Sequence, residues 1–538
     1  MPRVPLPVLD RGRCAAAGRD AAPDAPDEPD APKEKCGVVG IWNHPEAVHR
    51  AYLGLYAQQH RGQESAGIAV SDGARLSGHT GMGLVGEVFG EADLERLSRS
   101  AGPLGEHGAR GGAIGHNRYS TAGGSTCDNA QPIIESFVES RAVPGAESQV
   151  AVAHNGNLVN GAALRAMFGR LGHLFHTTSD TEVMVHLLAS PEQRDTPDPL
   201  ASTLRRLQGA FSAVFLFPDR IEAARDTHGW RPLVLGRLED GSPCVASETV
   251  ALDVMGAEYV REVEPGEIVT LDHAGMRSRR FADQAPRPAR CVFEHVYFAS
   301  PASEVFGQSV LSARERMGER LALEAPAEGD IVMPMPDSGR SAANGYARTS
   351  GMPYREGIVP NRYVGRTFIK PTQNERRAAV RLKLNVVADI VRGQRVVVVD
   401  DSIVRGTTTR EKMRQIREAG ASEIHVRISC PPIRHPCYFG VDFATRDQLI
   451  AAEREVEQIR AFLGVDSLAF LSLEGVLGCM DGAPESYCTA CYSGDYRIEV
   501  DRPTTGVVCD RGQGGFFPED AGGDVPGDAQ SSRDGERL

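Results

Sequence analysis

Lys35-Cys36-Gly37-Val38-Val39-Gly40-Ile41-Trp42 is the stretch from which the fold of this chain is read. Val38 to Trp42 is a short apolar run rich in β-branched and aromatic residues, the pattern of a buried strand. The cysteine in front of it has two readings. It is a small buried hydrophobe at a strand start, or, with the chain cut after Lys35, it is a terminal residue bearing both a thiol and a free α-amine. Such an amine titrates at about 7.7–8.0 and a thiol at about 8.5, so one residue would hold a nucleophile and a base matched to neutral pH.

Upstream, residues 1–35 carry nothing a core would use; 20–32 read DAAPDAPDEPDAP. The stretch has no apolar core of a secretory signal, and its acidity argues against a mitochondrial presequence. It reads as a disordered leader, and residues 506–538 as a disordered tail. The 538 residues are too many for one core and predict two large domains, at 36–285 and 286–505. A hydrophobic share of 41% with 24% charged residues is that of a soluble globular protein. A net charge of −13 speaks against nucleic-acid binding, and no uninterrupted apolar run is long enough to span a membrane. Eleven cysteines without an export signal predict a reducing, cytoplasmic setting, where clustered thiols serve metals or catalysis.

Downstream of Cys36, short apolar runs at Ser65-Ala66-Gly67-Ile68-Ala69-Val70, Gly112-Ala113-Ile114-Gly115 and Val150-Ala151-Val152-Ala153 predict strands, and 47–59 and 181–188 have helical spacing. Four polar clusters interrupt them: His60-Arg61-Gly62-Gln63-Glu64, His116-Asn117-Arg118-Tyr119, His154-Asn155-Gly156-Asn157 and Ser179-Asp180-Thr181-Glu182. Hydrolysis of an amide by a thiolate needs two donors for the oxyanion, which the Asn155 side chain and the Gly156 N–H can supply. Arg118 suits an α-carboxylate and Asp180 an α-ammonium. Singly, Asn155-Gly156 also reads as a hairpin turn and Asp180 as a helix N-cap.

Together, in this order behind Cys-Gly, the clusters resemble the class II glutamine amidotransferase domain over roughly 36–280. That resemblance implies an N-terminal nucleophile hydrolase with an αββα sandwich. It implies Cys36 attacking the amide of glutamine, Asn155 and Gly156 as oxyanion hole, Arg118 and Asp180 on the glutamine α-groups, and Arg61 in support.

A second landmark is Arg395-Val396-Val397-Val398-Val399-Asp400-Asp401-Ser402-Ile403-Val404-Arg405-Gly406-Thr407-Thr408. Four valines predict a strand buried on both faces. Two acids end it, a small hydroxyl-rich loop follows, and 409–419 predicts a helix ending at Gly420. Strand, loop and helix N-terminus make an anion cradle, and paired carboxylates can hold ribose hydroxyls or the water shell of Mg²⁺. The run resembles the phosphoribosyl diphosphate (PRPP) motif of type I phosphoribosyltransferases, an α/β fold. This implies Asp400 and Asp401 on ribose and metal, and the loop Ser402, Arg405, Gly406, Thr407, Thr408 on the 5′-phosphate. It also implies Ser338, in Met335-Pro336-Asp337-Ser338-Gly339, beside the diphosphate and Mg²⁺. Residues 361–385 hold seven Lys or Arg, Arg366 among them, against one Glu. That is either a solvated basic helix or a flap closing over an anionic substrate.

The two domains in this order resemble the amidophosphoribosyltransferase family, a mixed α/β and α+β two-domain architecture. The resemblance implies that glutamine, PRPP and water give 5-phosphoribosylamine, diphosphate and glutamate, the first committed step of de novo purine synthesis, with ammonia channelled between two sites. It also implies one Mg²⁺ per subunit, feedback inhibition by purine nucleotides, and a homotetramer. The competing readings are another class II amidotransferase, which would need a sugar-isomerase domain in place of the PRPP motif, and a PRPP-sensing regulator, which should lack Cys36 or Asn155.

Cys488-Thr489-Ala490-Cys491, Cys437 in His435-Pro436-Cys437 and Cys291 in Cys291-Val292-Phe293-Glu294 remain. Spacing alone leaves an iron–sulfur cluster, zinc and a redox pair open. One branch of the family carries a [4Fe–4S] cluster on cysteines in these contexts and a propeptide cleaved before the nucleophile. The resemblance therefore implies one cluster per subunit on Cys291, Cys437, Cys488 and Cys491, and removal of residues 1–35.

Overall fold

The strand Gly37–Trp42 lies inside a seven-strand antiparallel sheet, between Gly112–Arg118 and Pro243–Ala246. The sheet continues through Ser65–Ser71 to Leu76–Met82 on one side, and through Val234–Leu238 to Ala257–Glu262 on the other. The computed structural model describes residues 36–101, 111–119, 126–138, 147–361, 384–441, 443 and 446–500, all within one compact unit. The leader 1–35, Arg366 with residues 362–383, and everything after 500 lie outside the described residues.

A second, six-strand antiparallel sheet packs on the first, with Gly209–Phe217 near its middle and Glu147–Leu158 between that strand and the edge strand Ile133–Val138. Val38, Ile114, Ala153, Val214, Leu216 and Val245 interlock between the sheets, with water excluded from every one of them. Each outer face is covered by helices. Ala47, Val48, Ala51 and Leu55 of the helix Ala47–Ala57 recur on one side of it, so that side is buried against the first sheet. Leu187 and Leu188 of the helix Thr181–Ala189 join the core of the second sheet. The result is helix, sheet, sheet, helix, the αββα layering that the resemblance to the class II glutamine amidotransferase domain implies.

The other half is built on four parallel strands in the order Ile331–Pro334, Arg395–Asp400, Glu423–Ile428 and Ser467–Phe470. Val396 to Val399 are fully buried, as strands covered on both faces require. The helix after the acidic strand end spans Thr407–Glu418, two residues earlier than its spacing suggests. Gly406 ends the loop with φ +77°, a conformation that costs a glycine little, so Thr407 and Thr408 form the first turn and not the loop.

Candidate functional site

The site is assembled where the ends of the central strands meet. Gly37 is paired with Asn117, and Ser65 with Arg118, so the start of one strand and the end of another bring Cys36 beside Arg118. Cys36 is 5% exposed, and its thiol points to the Tyr119 carbonyl at 3.7 Å. Burial pushes the thiol up, while Arg118 and Arg61 pull it down and Asp180 opposes them. The Arg61 Nε–H bond to the Cys36 carbonyl and the pairing of Ser65 with Arg118 place both guanidiniums at the Cys36 end of the sheet.

Arg61 sits on the short helical turn Gln59–Arg61 and donates its Nε–H to the Cys36 carbonyl at 2.9 Å. Its other nitrogens bind Glu294 at 3.0 and 2.9 Å and also reach Glu248. Both carboxylates and the guanidinium are fully buried. Each acid is held below its ordinary range by the arginine against the opposing cost of burial, with His60 adding to the effect on Glu248.

His154-Asn155-Gly156-Asn157 is not a turn. It is the last part of the strand Glu147–Leu158, with Asn155 opposite Ser212 and Gly156 opposite Phe211. Gly156 has φ +153°, and a Cβ there would lie 2.0 Å from the Ala210 carbonyl oxygen, so only glycine lets the strands approach this closely. The Asn155 Nδ2 is buried and has no hydrogen-bond partner among the described residues. Asp180 does not cap the helix it precedes; its carboxylate accepts the Leu158 N–H at 2.8 Å, which ties the anchor to the oxyanion strand. Glu182, drawn down to about 2 against the cost of burial by the His186 ring 3.7 Å away and by hydrogen bonds from His176 and Thr177, braces the chain leading into Asp180.

In the second half, Asp400 and Asp401 stand at the carboxyl end of a central strand, both buried. Asp401 accepts the Ser402 hydroxyl at 2.5 Å, and Arg405 is tied to Gln448. The turn holding Ser338 follows the neighbouring strand Ile331–Pro334. A Cβ on Gly339 would lie 2.5 Å from the Val399 carbonyl, so this turn presses on the strand end that carries the two acids. Hard oxygen donors meeting outside the carboxyl ends of parallel strands suit Mg²⁺ and a phosphorylated ligand. The segment Glu294–Phe298 begins at the acid that binds Arg61, and its Tyr297 is pushed up by burial, with Asp401 and Asp400 next in effect.

Cys291, Cys437, Cys488 and Cys491 line one mostly apolar pocket together with Trp230, Arg231, Phe293 and Phe439. Cys291 and Cys488 are directly opposite on paired strands, and the Cys491 carbonyl accepts the N–H groups of Arg434 and His435. Among the described residues, no three or more His, Cys, Asp or Glu are drawn in around a single metal ion. The four thiols are instead spread around a cavity. Burial pushes Cys291 up to about 11 and Cys488 and Cys491 upward too, so an uncompensated thiolate is disfavoured there.

The glutamine amidotransferase domain family matches residues 118–254. Amidophosphoribosyltransferase of Synechococcus elongatus is 47% identical over 474 residues, 87% of this chain and 92% of that protein. The chain belongs to the amidophosphoribosyltransferase family. Two solved structures agree over the whole architecture. One, described as the allosteric regulatory enzyme of purine biosynthesis, superposes with a TM-score of 0.78 at 44% identity, covering 87% of this chain and 97% of that one. The other is glutamine PRPP amidotransferase from B. subtilis complexed with ADP and GMP, with a TM-score of 0.77 at 43% identity, covering 87% and 99%. The activity is that of the family: nitrogen from glutamine is transferred to PRPP in purine biosynthesis. Among the described residues, no helix is long and apolar enough to cross a membrane.

Sequence reasoning on this amidophosphoribosyltransferase missed Glu248, Glu294 and Arg231. Arg231 donates to Glu294 at 3.0 Å and to the Phe439 carbonyl at 3.2 and 3.0 Å. The available signals were slight: an arginine between Trp230 and Pro232, and the acid ending Cys291-Val292-Phe293-Glu294.

Proposed function

We propose that Cys36 is the glutamine-cleaving nucleophile, made a terminal residue by cleavage of the bond after Lys35. The observation that carries this is the placement of Cys36: strand pairing sets it beside Arg118, the Arg61 Nε–H holds its carbonyl at 2.9 Å, and the residue is buried. A released α-amine is the base best matched to neutral pH. The thiolate attacks the amide carbon of glutamine. The Asn155 Nδ2–H and the Gly156 N–H hold the oxyanion, and the amine passes the proton it took from the thiol to the amide nitrogen, so that the C–N bond breaks, ammonia leaves and a thioester remains; water then attacks the thioester, releasing glutamate and restoring the thiol. Arg118 grips the α-carboxylate and Asp180 the α-ammonium.

Ammonia then moves along the Glu294–Phe298 segment to the acidic strand end. There Asp400 and Asp401 orient the ribose, and the first turn at Thr407 and Thr408, with Ser402, Arg405 and Gly406, holds the 5′-phosphate. Ser338, Asp400 and Asp401 would hold Mg²⁺, which neutralises the leaving diphosphate when bound. Arg366 belongs to the same reading, from the basic composition of its segment. Attack by ammonia on the anomeric carbon expels diphosphate and gives 5-phosphoribosylamine.

The four-cysteine pocket fits a [4Fe–4S] cluster better than zinc. Zn²⁺ needs its sulfurs at about 2.3 Å from one point, while a cluster takes thiolates spaced around its own volume. The cluster's role is structural, because no electron changes hands in the transfer. Feedback inhibition by purine nucleotides and assembly as a homotetramer complete the reading; the nucleotide complex of the B. subtilis relative supports the former.

The test is Cys36→Ala. Glutamine-dependent synthesis of phosphoribosylamine should vanish, while ammonia-dependent synthesis persists. Loss of both in a folded protein overturns the two-site assignment.

A further inference from the structure

The loop that carries Cys437 goes on to touch the glutamine site. Gly440 lies so close to the oxyanion strand that a Cβ on it would be 3.1 Å from the Gly156 carbonyl carbon and 3.2 Å from its Cα. Its φ of +91° makes glycine the fitting residue there. Asn157, next along the strand, donates its side-chain N–H to the Tyr438 carbonyl at 2.9 Å. The loop is thus pressed along the back of Gly156.

Arg231 fixes that loop. Its Nε and one terminal nitrogen both donate to the Phe439 carbonyl, and the same nitrogen reaches the Gly440 carbonyl. Its remaining nitrogen binds Glu294, which binds Arg61, which holds the Cys36 carbonyl. Trp230, adjacent in sequence, stacks on the Phe439 ring with centroids 4.5 Å apart. One buried chain of charged groups therefore runs from the nucleophile's own backbone to the loop behind the oxyanion strand.

We propose that Arg231 is a positioning residue for the glutaminase reaction: through the Phe439 and Gly440 carbonyls it sets where the Gly156 N–H stands relative to Cys36. This rests on the assignment of Cys36 and Gly156 made above. Arg231 touches neither substrate. Its planar fork meets two carbonyls and a carboxylate at fixed angles, a task an ammonium reproduces only in part. The effect of a small displacement is large, because a misplacement of about 1 Å at a reacting centre costs on the order of 100-fold in rate.

The test compares Arg231→Met, Arg231→Lys and Gly440→Ala in the full chain. Each is assayed with glutamine and with ammonia, alongside Cys36→Ala. Arg231→Met should lower glutamine-dependent kcat by roughly tenfold or more, with little change in the KM for glutamine and with the ammonia-dependent rate preserved. Arg231→Lys should restore part of the loss. Gly440→Ala, which removes no charge, should reproduce the selective fall in kcat. Should Arg231→Met not fold, Asn157→Ala removes the Tyr438 contact alone and carries the same expectation. Glutamine-dependent kcat within twofold of the parent in folded Arg231→Met and Gly440→Ala overturns the inference, as does a parallel loss of both activities. If Cys36→Ala itself keeps glutamine-dependent activity, the underlying site assignment fails instead, and the inference with it.

Discussion

Arg61 and Glu294 stand 233 positions apart and form a two-pronged ion pair at 3.0 and 2.9 Å, with neither side chain exposed to water. One partner holds the nucleophile's carbonyl, and the other begins the segment leading toward the PRPP acids. Removing one partner strands a charge without solvent. Glu294→Gln should therefore cost about 3–5 kcal/mol of stability. Denaturant titration measures it, and a double-mutant cycle with Arg61→Met separates the pair from each residue's other contacts.

Asn155 makes the opposite case. Its buried Nδ2 has no partner among the described residues, so truncation forfeits no hydrogen bond to any of them from that group. Asn155→Ala should leave thermal stability equal or slightly higher. Glutamine-dependent kcat should fall by about 10²–10³, the usual cost of one oxyanion donor. A fall in Tm together with kcat would assign the amide a packing role in its place.

How much of this was readable before folding follows from distance along the chain. Cys36, Arg118 and Asp180 each sit in a short run of unusual residue types, so local pattern exposed them. The four consecutive valines and paired acids at Val396 to Asp401 did the same for the parallel strand. Glu248, Glu294 and Arg231 have partners about 60 to 230 residues away, and no window along the sequence contains both halves of such a pair. Asn155-Gly156 reads locally as a turn, because the reason for its glycine is the Ala210 carbonyl on the neighbouring strand. The helix after Gly406 starts early for a cause that is local: the positive φ of that glycine.

Glu182 predicts a pH effect. Its folded-state value, about 2, lies below its ordinary value of 4.5, because the N–H groups of His176 and Thr177, the Thr177 hydroxyl and His186 favour the charged form over the cost of burial. A depressed carboxylate stabilises the folded state fully above its unfolded value. That contribution is lost as pH falls from about 4.5 toward about 2. Stability measured against pH should decline through this window, and Glu182→Gln should flatten the decline. The variant should also raise the KM for glutamine, since the same bonds brace the approach to Asp180.

The cysteine pocket gives the last prediction. Four thiols line one apolar cavity, and burial resists ionisation of Cys291, Cys488 and Cys491, so a positive centre is what would hold them as thiolates. Protein purified without oxygen should be brown and contain about four irons and four acid-labile sulfides per chain. A colourless preparation with one zinc per chain would refute the cluster. Phe439 N–H donates to the Cys437 sulfur at 3.4 Å, so the loop behind Gly156 is tied directly to one of these thiols. Cys437→Ser should therefore lower the iron content and accelerate proteolysis near the loop. Cys244→Ser should do neither, because Cys244 is fully buried in the first sheet, within a different core. Iron retained at the parental level in Cys437→Ser, with iron lost in Cys244→Ser, would move the ligand assignment away from this pocket.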